Sequence, residues 1–419
     1  MIPQQAPTLK RALSLPKMVF YGLGTTIGAG IYALIGELAG VSGYLAPMAF
    51  LVASVLAGLT ALSFAELSSR YPHAAGTAAY TQVGFNLKPL STLVGLLVIL
   101  AGLVSSAALL HAFSGYFFKL VPWPTHWIIL STALILGAFA LWGIVQAVWF
   151  TAALTLLGLI GLVWVIAVSV SALDQLPMLW PELLPGASFS SWGIVLAGTL
   201  LAFYAFIGFE DMVAVAEEVN DVQRTLPKAI ILTLVLTTLL YLSIMLLAVL
   251  SIPPELFANS SAPLALLYEH HTQKNPQWII WISLFAIIDG ALIQIIMASR
   301  VLYGLSSQGQ LPAWLGQINP KTHTPVYATI LAICTVIILA FIGNLSSLAQ
   351  LTSWIMLLVF TLVNLALWRI KRREVQFKQP INTSKAAHTH AFNVPIKLTL
   401  LAFLASLGFV LLETYRIFS

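Results

Sequence analysis

The chain has 419 residues, 59% of them hydrophobic and only 8% charged, with a net charge of +5 and a mean hydropathy of +0.95. A soluble domain carries about 25% charged residues, so these figures exclude a soluble globular fold and place the chain in a membrane. A single cysteine, Cys334, excludes an intramolecular disulfide and a metal site built on several thiolates.

In chain order, residues 1–15 read as a polar cytoplasmic tail, and the apolar run behind them is too long for a signal-peptide core. Eleven segments of membrane length follow, near 16–39, 46–68, 89–117, 127–142, 146–172, 192–219, 228–251, 277–305, 325–343, 346–369 and 394–414. Three loops are longer than a turn: 173–190 and 252–276 on one side, and 371–393, rich in Lys, Thr and His, on the other. With the N-terminus in the cytoplasm, sixteen of the nineteen Lys and Arg residues face the cytoplasm, and only Lys119, Lys274 and Arg416 face outward. The positive charge therefore reports orientation rather than nucleic acid, and an odd number of spans leaves the C-terminus, in 394–419, outside.

Two spans are interrupted at matching depths. The first breaks at Gly28-Ala29-Gly30 and the sixth weakens at Phe206-Ile207-Gly208. Inside hydrocarbon, an interrupted helix leaves N–H and C=O groups that cost several kcal/mol each unless protein or a polar ligand meets them. Gly24 and Gly28 also fit a small-xxx-small packing face, which needs no ligand. They are not a nucleotide loop, because no strand precedes them. Paired breaks in two halves point instead to a transporter site at the midplane. Free carbonyls before each break and free amides after it suit an ammonium and a carboxylate, the polar end of an amino acid. Spans one to five (16–172) and six to ten (192–369) then form two halves of opposite orientation, with the eleventh span added.

The flanking residues carry a resemblance. Phe203-Tyr204-Ala205-Phe206-Ile207-Gly208-Phe209-Glu210, followed by Ala216-Glu217-Glu218-Val219 and Gln223-Arg224-Thr225-Leu226-Pro227, resembles the sixth-helix signature of the amino acid–polyamine–organocation transporters. Gly28-Ala29-Gly30-Ile31-Tyr32, Ala65-Glu66-Leu67-Ser68-Ser69-Arg70-Tyr71-Pro72 and Ala298-Ser299-Arg300-Val301-Leu302-Tyr303 are similar to three further motifs of that family, in the same order. The similarity runs over about residues 15–400 and is nearest to the cationic-amino-acid-transporter-like and bacterial proton-coupled branch. It implies an all-α integral membrane fold, a LeuT-type 5+5 inverted-repeat bundle with helices one and six discontinuous. It also implies an amino acid bound by Ile27, Gly28, Ala29, Gly30, Phe203, Phe206, Ile207 and Gly208, walled by helices three, eight and ten. Asp221-Val222 replaces the family's Asn-Pro after helix six, and Ser307-Gln308 replaces its Arg-Asp after helix eight. Where proton-coupled relatives can carry a helix-five lysine, this chain has Gly158.

Asp289, near the middle of span eight, is therefore the candidate for coupling, as a titrating carboxylate or a cation ligand. A charge at that depth costs about 3 kcal/mol or more, although a protonated aspartate bonded across helices would fit equally well. Glu210 is a candidate gate, against the competing reading that an acid stabilises the start of a helix. Glu66 is expected to contact a loop arginine, His111 to make a satisfied polar contact or to face the pocket wall, and His270 and His271 to be solvated. Tryptophans 123, 127, 192 and 278 read as belt anchors. The chain reads as a multi-pass plasma (bacterial inner) membrane transporter that moves an amino acid, with neutral or apolar side chains favoured, by proton coupling or exchange. Its expected partners are that substrate, a coupling ion and membrane lipid, with no cofactor. An amine or polyamine carrier and a transport-inactive sensor on the same fold are the alternatives. A membrane enzyme is disfavoured, since no second mid-membrane aspartate and no HExxH pair is present.

Overall fold

The computed structural model describes residues 13–27, 30–71, 76–142, 144–307, 309–319, 322, 324–377 and 392–418. The first span is split into α1 (Leu15–Ile27) and α2 (Gly30–Ser42), and α3 (Ala46–Arg70) follows. A short α4 (Thr77–Phe85) leads into α5 (Lys88–Phe118), α6 (Thr125–Trp142) and α7 (Ile144–Ser169). The sixth span is α8 (Phe189–Tyr204) plus the 3₁₀ segment Phe209–Glu218. Then come α9 (Val222–Ser251), a short α10 (Pro263–Thr272), α11 (Gln277–Ser307), α12 (Val326–Ile342), α13 (Leu345–Phe377) and α14 (Ile396–Phe418). Among the described residues eight helices are long and apolar enough to cross a membrane, and Thr125–Leu141 and Val326–Ile342 are shorter apolar helices. The fold is an all-α membrane bundle of the expected kind.

Local chemistry sets the ends of these helices. Pro47 and Pro89 occupy the first turns of α3 and α5, where a missing N–H costs nothing. Ser188 caps α8 by accepting from the Ser191 amide at 3.1 Å. Asn86, in the left-handed region at φ +57°, closes α4. α5 lies at the centre, packed on α11, α13 and α12, while α9 packs between α3 and α1.

Three features differ from the sequence expectation. The tenth span continues to Phe377, through residues expected to open the loop at 371. Side chains hold these extra turns: Arg369 lies over the Phe85 ring at 4.8 Å, Arg372 over Trp368 at 5.1 Å, and Lys371 turns inward. The segment 252–276 is not all loop, because α10 buries Leu264 and Leu267. His271, expected to be solvated, instead touches the Ser251 hydroxyl at 2.7 Å and Ser171 at 3.3 Å.

Polar contacts join the helices where no hydrophobic force does. Asn364 of α13 donates to Thr60 Oγ1 of α3 at 3.1 Å, and to Ala402 O and Ser406 Oγ of α14 at 3.3 Å, which docks the eleventh span. At the basic end of the bundle, the fully buried Glu66 meets Arg70 at 2.5 Å and Lys371 at 2.8 Å, and accepts from the Val394 amide at 2.8 Å. Arg70 also pairs with Glu374 at 2.8 Å. Leu13 bridges to Val219 beside this end, with Leu13 N–H donating to Glu218 O at 3.0 Å. Glu66 is the only anion within ion-pair reach of Lys371 among the described residues, whereas Arg70 keeps Glu374. Glu66→Leu should therefore destabilise the purified protein by about 3–5 kcal/mol, the cost of leaving a buried charge unpaired. Glu66→Leu combined with Lys371→Met should recover part of that loss in thermal unfolding. Additive losses would show that the two charges do not act as a pair.

Candidate functional site at the paired helix breaks

The two breaks touch backbone to backbone. α1 ends at Ile27 and α2 begins at Gly30; the predicted site residues Gly28 and Ala29 lie outside the described residues. α8 ends at Tyr204, and a turn brings the chain to Gly208 at φ +125°, a conformation that only glycine holds without strain. A Cβ on Gly30 would come within 2.6 Å of Ala205 Cα, and one on Gly208 would strike the Thr25 carbonyl. These two glycines therefore let the interrupted helices meet at the same depth.

A side chain from the seventh span closes the junction. The Tyr241 hydroxyl of α9, fully buried, donates to Thr26 O at 2.9 Å and to Ala205 O at 3.0 Å. One proton is thus shared between carbonyls left free at the ends of α1 and α8. On the other side of the second break, Glu210 Oε2 accepts from the Gly208 amide at 2.8 Å. That bond gives Glu210 a structural task at the start of the second half. Phe206 turns away into the bundle, packed on Phe50 at 6.2 Å and Tyr241 at 5.4 Å. Phe203 meets Phe360 of the tenth span at 5.9 Å, and Ile207 is half-buried.

A small cavity opens beside the first break, between α1, α7 and α11. It leaves about 10 Å³ for the centre of a water-sized atom, and its lining includes Ile27, Tyr32, Thr155, Gly158 and Asp289. Asp289 is 1% exposed: its Oδ2 accepts from the Thr155 hydroxyl at 3.2 Å, while its Oδ1 has no hydrogen-bond partner. The Tyr32 hydroxyl donates to the Gly158 carbonyl. A Cβ at Gly158 would lie 3.3 Å from Ala286 Cβ, and the remaining space is far too small for a lysine side chain at that position. Thr155 also sits where a Cβ on Gly24 would be, at 2.8 Å, which explains that glycine by close helix packing.

The structure thus brings Ile27, Gly158 and Asp289 to one cavity, and Gly30 and Gly208 to one junction. Two further residues complete the wall from α5. Ser105 meets the Tyr204 hydroxyl at 2.8 Å, and Tyr116 donates to Tyr32 O at 3.1 Å. His111 is a satisfied polar contact, 2.8 Å from Ala340 O on α12. Sequence reasoning missed Tyr241, although a signal existed: Thr233, Thr237 and Tyr241 recur every fourth residue on one fully buried face of an apolar helix. Tyr241→Phe leaves two buried carbonyls without their donor and should lower stability by about 1–3 kcal/mol. Gly30→Val should prevent folding, because the clash is with backbone. Thermal unfolding and monodispersity in detergent report both outcomes, and an unchanged Tyr241→Phe midpoint would contradict the bridge.

A family profile described as amino acid permease matches residues 13–415. The cationic amino acid transporter 2, vacuolar, of Arabidopsis thaliana is 29% identical over 406 residues, covering 90% of this chain and 62% of the relative. The branched-chain amino acid permease BcaP of Bacillus subtilis is 27% identical, covering 88% and 82% respectively. An uncharacterised transporter of Mycobacterium tuberculosis is 27% identical, covering 86% and 81%. The chain spans less than two thirds of the plant transporter's length. With the profile covering nearly its whole length and the broken helices in place, the chain belongs to the amino acid permease family within the amino acid–polyamine–organocation superfamily.

Proposed function

We propose that the protein is a secondary active transporter that carries an amino acid across the plasma membrane by alternating access. The observation that carries this reading is the junction of two interrupted helices, where backbone groups from both breaks converge and Tyr241 holds two of the free carbonyls. An amino acid's ammonium competes well for such carbonyls, and its carboxylate for the amides that follow each break. The two halves 16–172 and 192–369 act as inverted repeats around this point, with the N-terminus cytoplasmic and the C-terminus external. Names of relatives include both cationic and branched-chain amino acid carriers. Ile27, Phe203 and Ile207 are apolar, and Glu210, the acid at the break, is bonded to Gly208, so a neutral side chain is favoured.

Asp289 couples transport to protons in this reading. Its carboxyl is buried with one oxygen unpartnered beside the first break, as suits a group that gains and loses a proton. In proteoliposomes, a panel of labelled amino acids should show uptake of neutral ones, increased by an acidic exterior. Asp289→Asn should bring that uptake down to the level seen without a gradient while leaving counterflow of the same amino acid. A normal response of Asp289→Asn to the gradient would remove Asp289 from coupling. Uptake of an amine but no amino acid would overturn the substrate reading.

A further inference from the structure

The basic end of the bundle carries an open groove of about 730 Å³ away from the helix breaks, between α4, the start of α5 and the segment after α11. Its mouth is polar. Lys88 lies there exposed and makes no ion pair among the described residues, Gln82 stands beside it, and the Thr92 hydroxyl donates to Gln310 Oε1 at 2.6 Å. Its floor is apolar. Leu93 and Leu96 line it, and Leu100 extends the same face one turn deeper, with 50%, 38% and 41% of their surfaces uncovered. From Lys88 to Leu100 is twelve residues, about 18 Å along a helix, close to half of the ~30 Å hydrocarbon core. Trp314 and Tyr327, exposed and edge to face at 6.2 Å, sit on the neighbouring segment and mark headgroup depth.

We propose that this groove is a binding site for one anionic phospholipid. Lys88 pairs with the phosphodiester, the Gln82 amide and Thr92 hydroxyl face the glycerol and ester oxygens, and one acyl chain lies along Leu93, Leu96 and Leu100. Charge complementarity selects an anionic head, and the leaflet-long apolar strip selects a lipid over a soluble anion. Neither feature depends on the transport reading.

The test is native mass spectrometry of the full chain in detergent with equal amounts of phosphatidylglycerol and phosphatidylcholine. The wild type should retain phosphatidylglycerol about fivefold over phosphatidylcholine, the preference that one well-placed cation confers. Lys88→Gln should abolish the preference and Lys88→Arg should keep it. Lys397→Gln, which alters an exposed lysine outside the groove, should leave it unchanged. Leu96→Glu, which places an acid on the acyl path, should reduce retention of both lipids. No preference in the wild type, or an equal preference in Lys88→Gln, would overturn the proposal. So would displacement of phosphatidylglycerol by inorganic phosphate, which would mark an anion site without a lipid.

Discussion

Everything near the centre of this protein depends on one constraint: backbone polar groups exposed by a broken helix in hydrocarbon must find partners. Two interrupted helices meet here, and side chains supply the partners: Tyr241 for Thr26 O and Ala205 O, and Glu210 for the Gly208 amide. Gly30 and Gly208 let the interrupted segments approach until no side chain could fit between them. The remaining carbonyls, Thr26 O and Ala205 O, converge on one phenol from α9. A structure that gathers unsatisfied backbone at a single depth is also one that offers partners to a small zwitterion, which is how the proposed function links stability to transport.

The charges follow the same economy. The buried network at the basic end is fully paired, with Glu66 held by two cations and an amide, and it joins α3, α13 and the start of α14. Asp289 is the contrast: it is equally deep but has a single hydroxyl contact. An ionisable group left short of partners beside a cavity, while others are saturated, is the one that the proposed function assigns to the coupling proton. Gly158 belongs to the same design, since Tyr32 reaches across it to tie α2 to α7.

Much of the fold was legible in the sequence, because span length, the glycine breaks and charge asymmetry are local signals. The second break fell where Phe206-Ile207-Gly208 predicted it, while Gly28 and Ala29, at the first, lie outside the described residues. The end of the tenth span was not legible, because Lys371 reads as the start of a basic loop until Glu66, some three hundred residues away, stands beside it. Phe206 illustrates the same limit: its position in the motif suggested the pocket, yet its ring packs on Phe50 and Tyr241. Tyr241 was hidden for another reason. Threonine in membrane helices commonly bonds its own backbone, so a hydroxyl stripe does not reveal which member crosses to another helix.

The most direct test of the central claim is competition binding with three matched ligands: a neutral amino acid, its decarboxylated amine and its deaminated acid. If paired carbonyls and amides form the site, only the intact amino acid should bind tightly. Each analogue should lose at least tenfold, since each leaves buried backbone groups unmet at about 1–3 kcal/mol apiece. Equal binding of the amine would contradict a carboxylate at the amide ends, and equal binding of the acid would contradict an ammonium at Thr26 and Ala205.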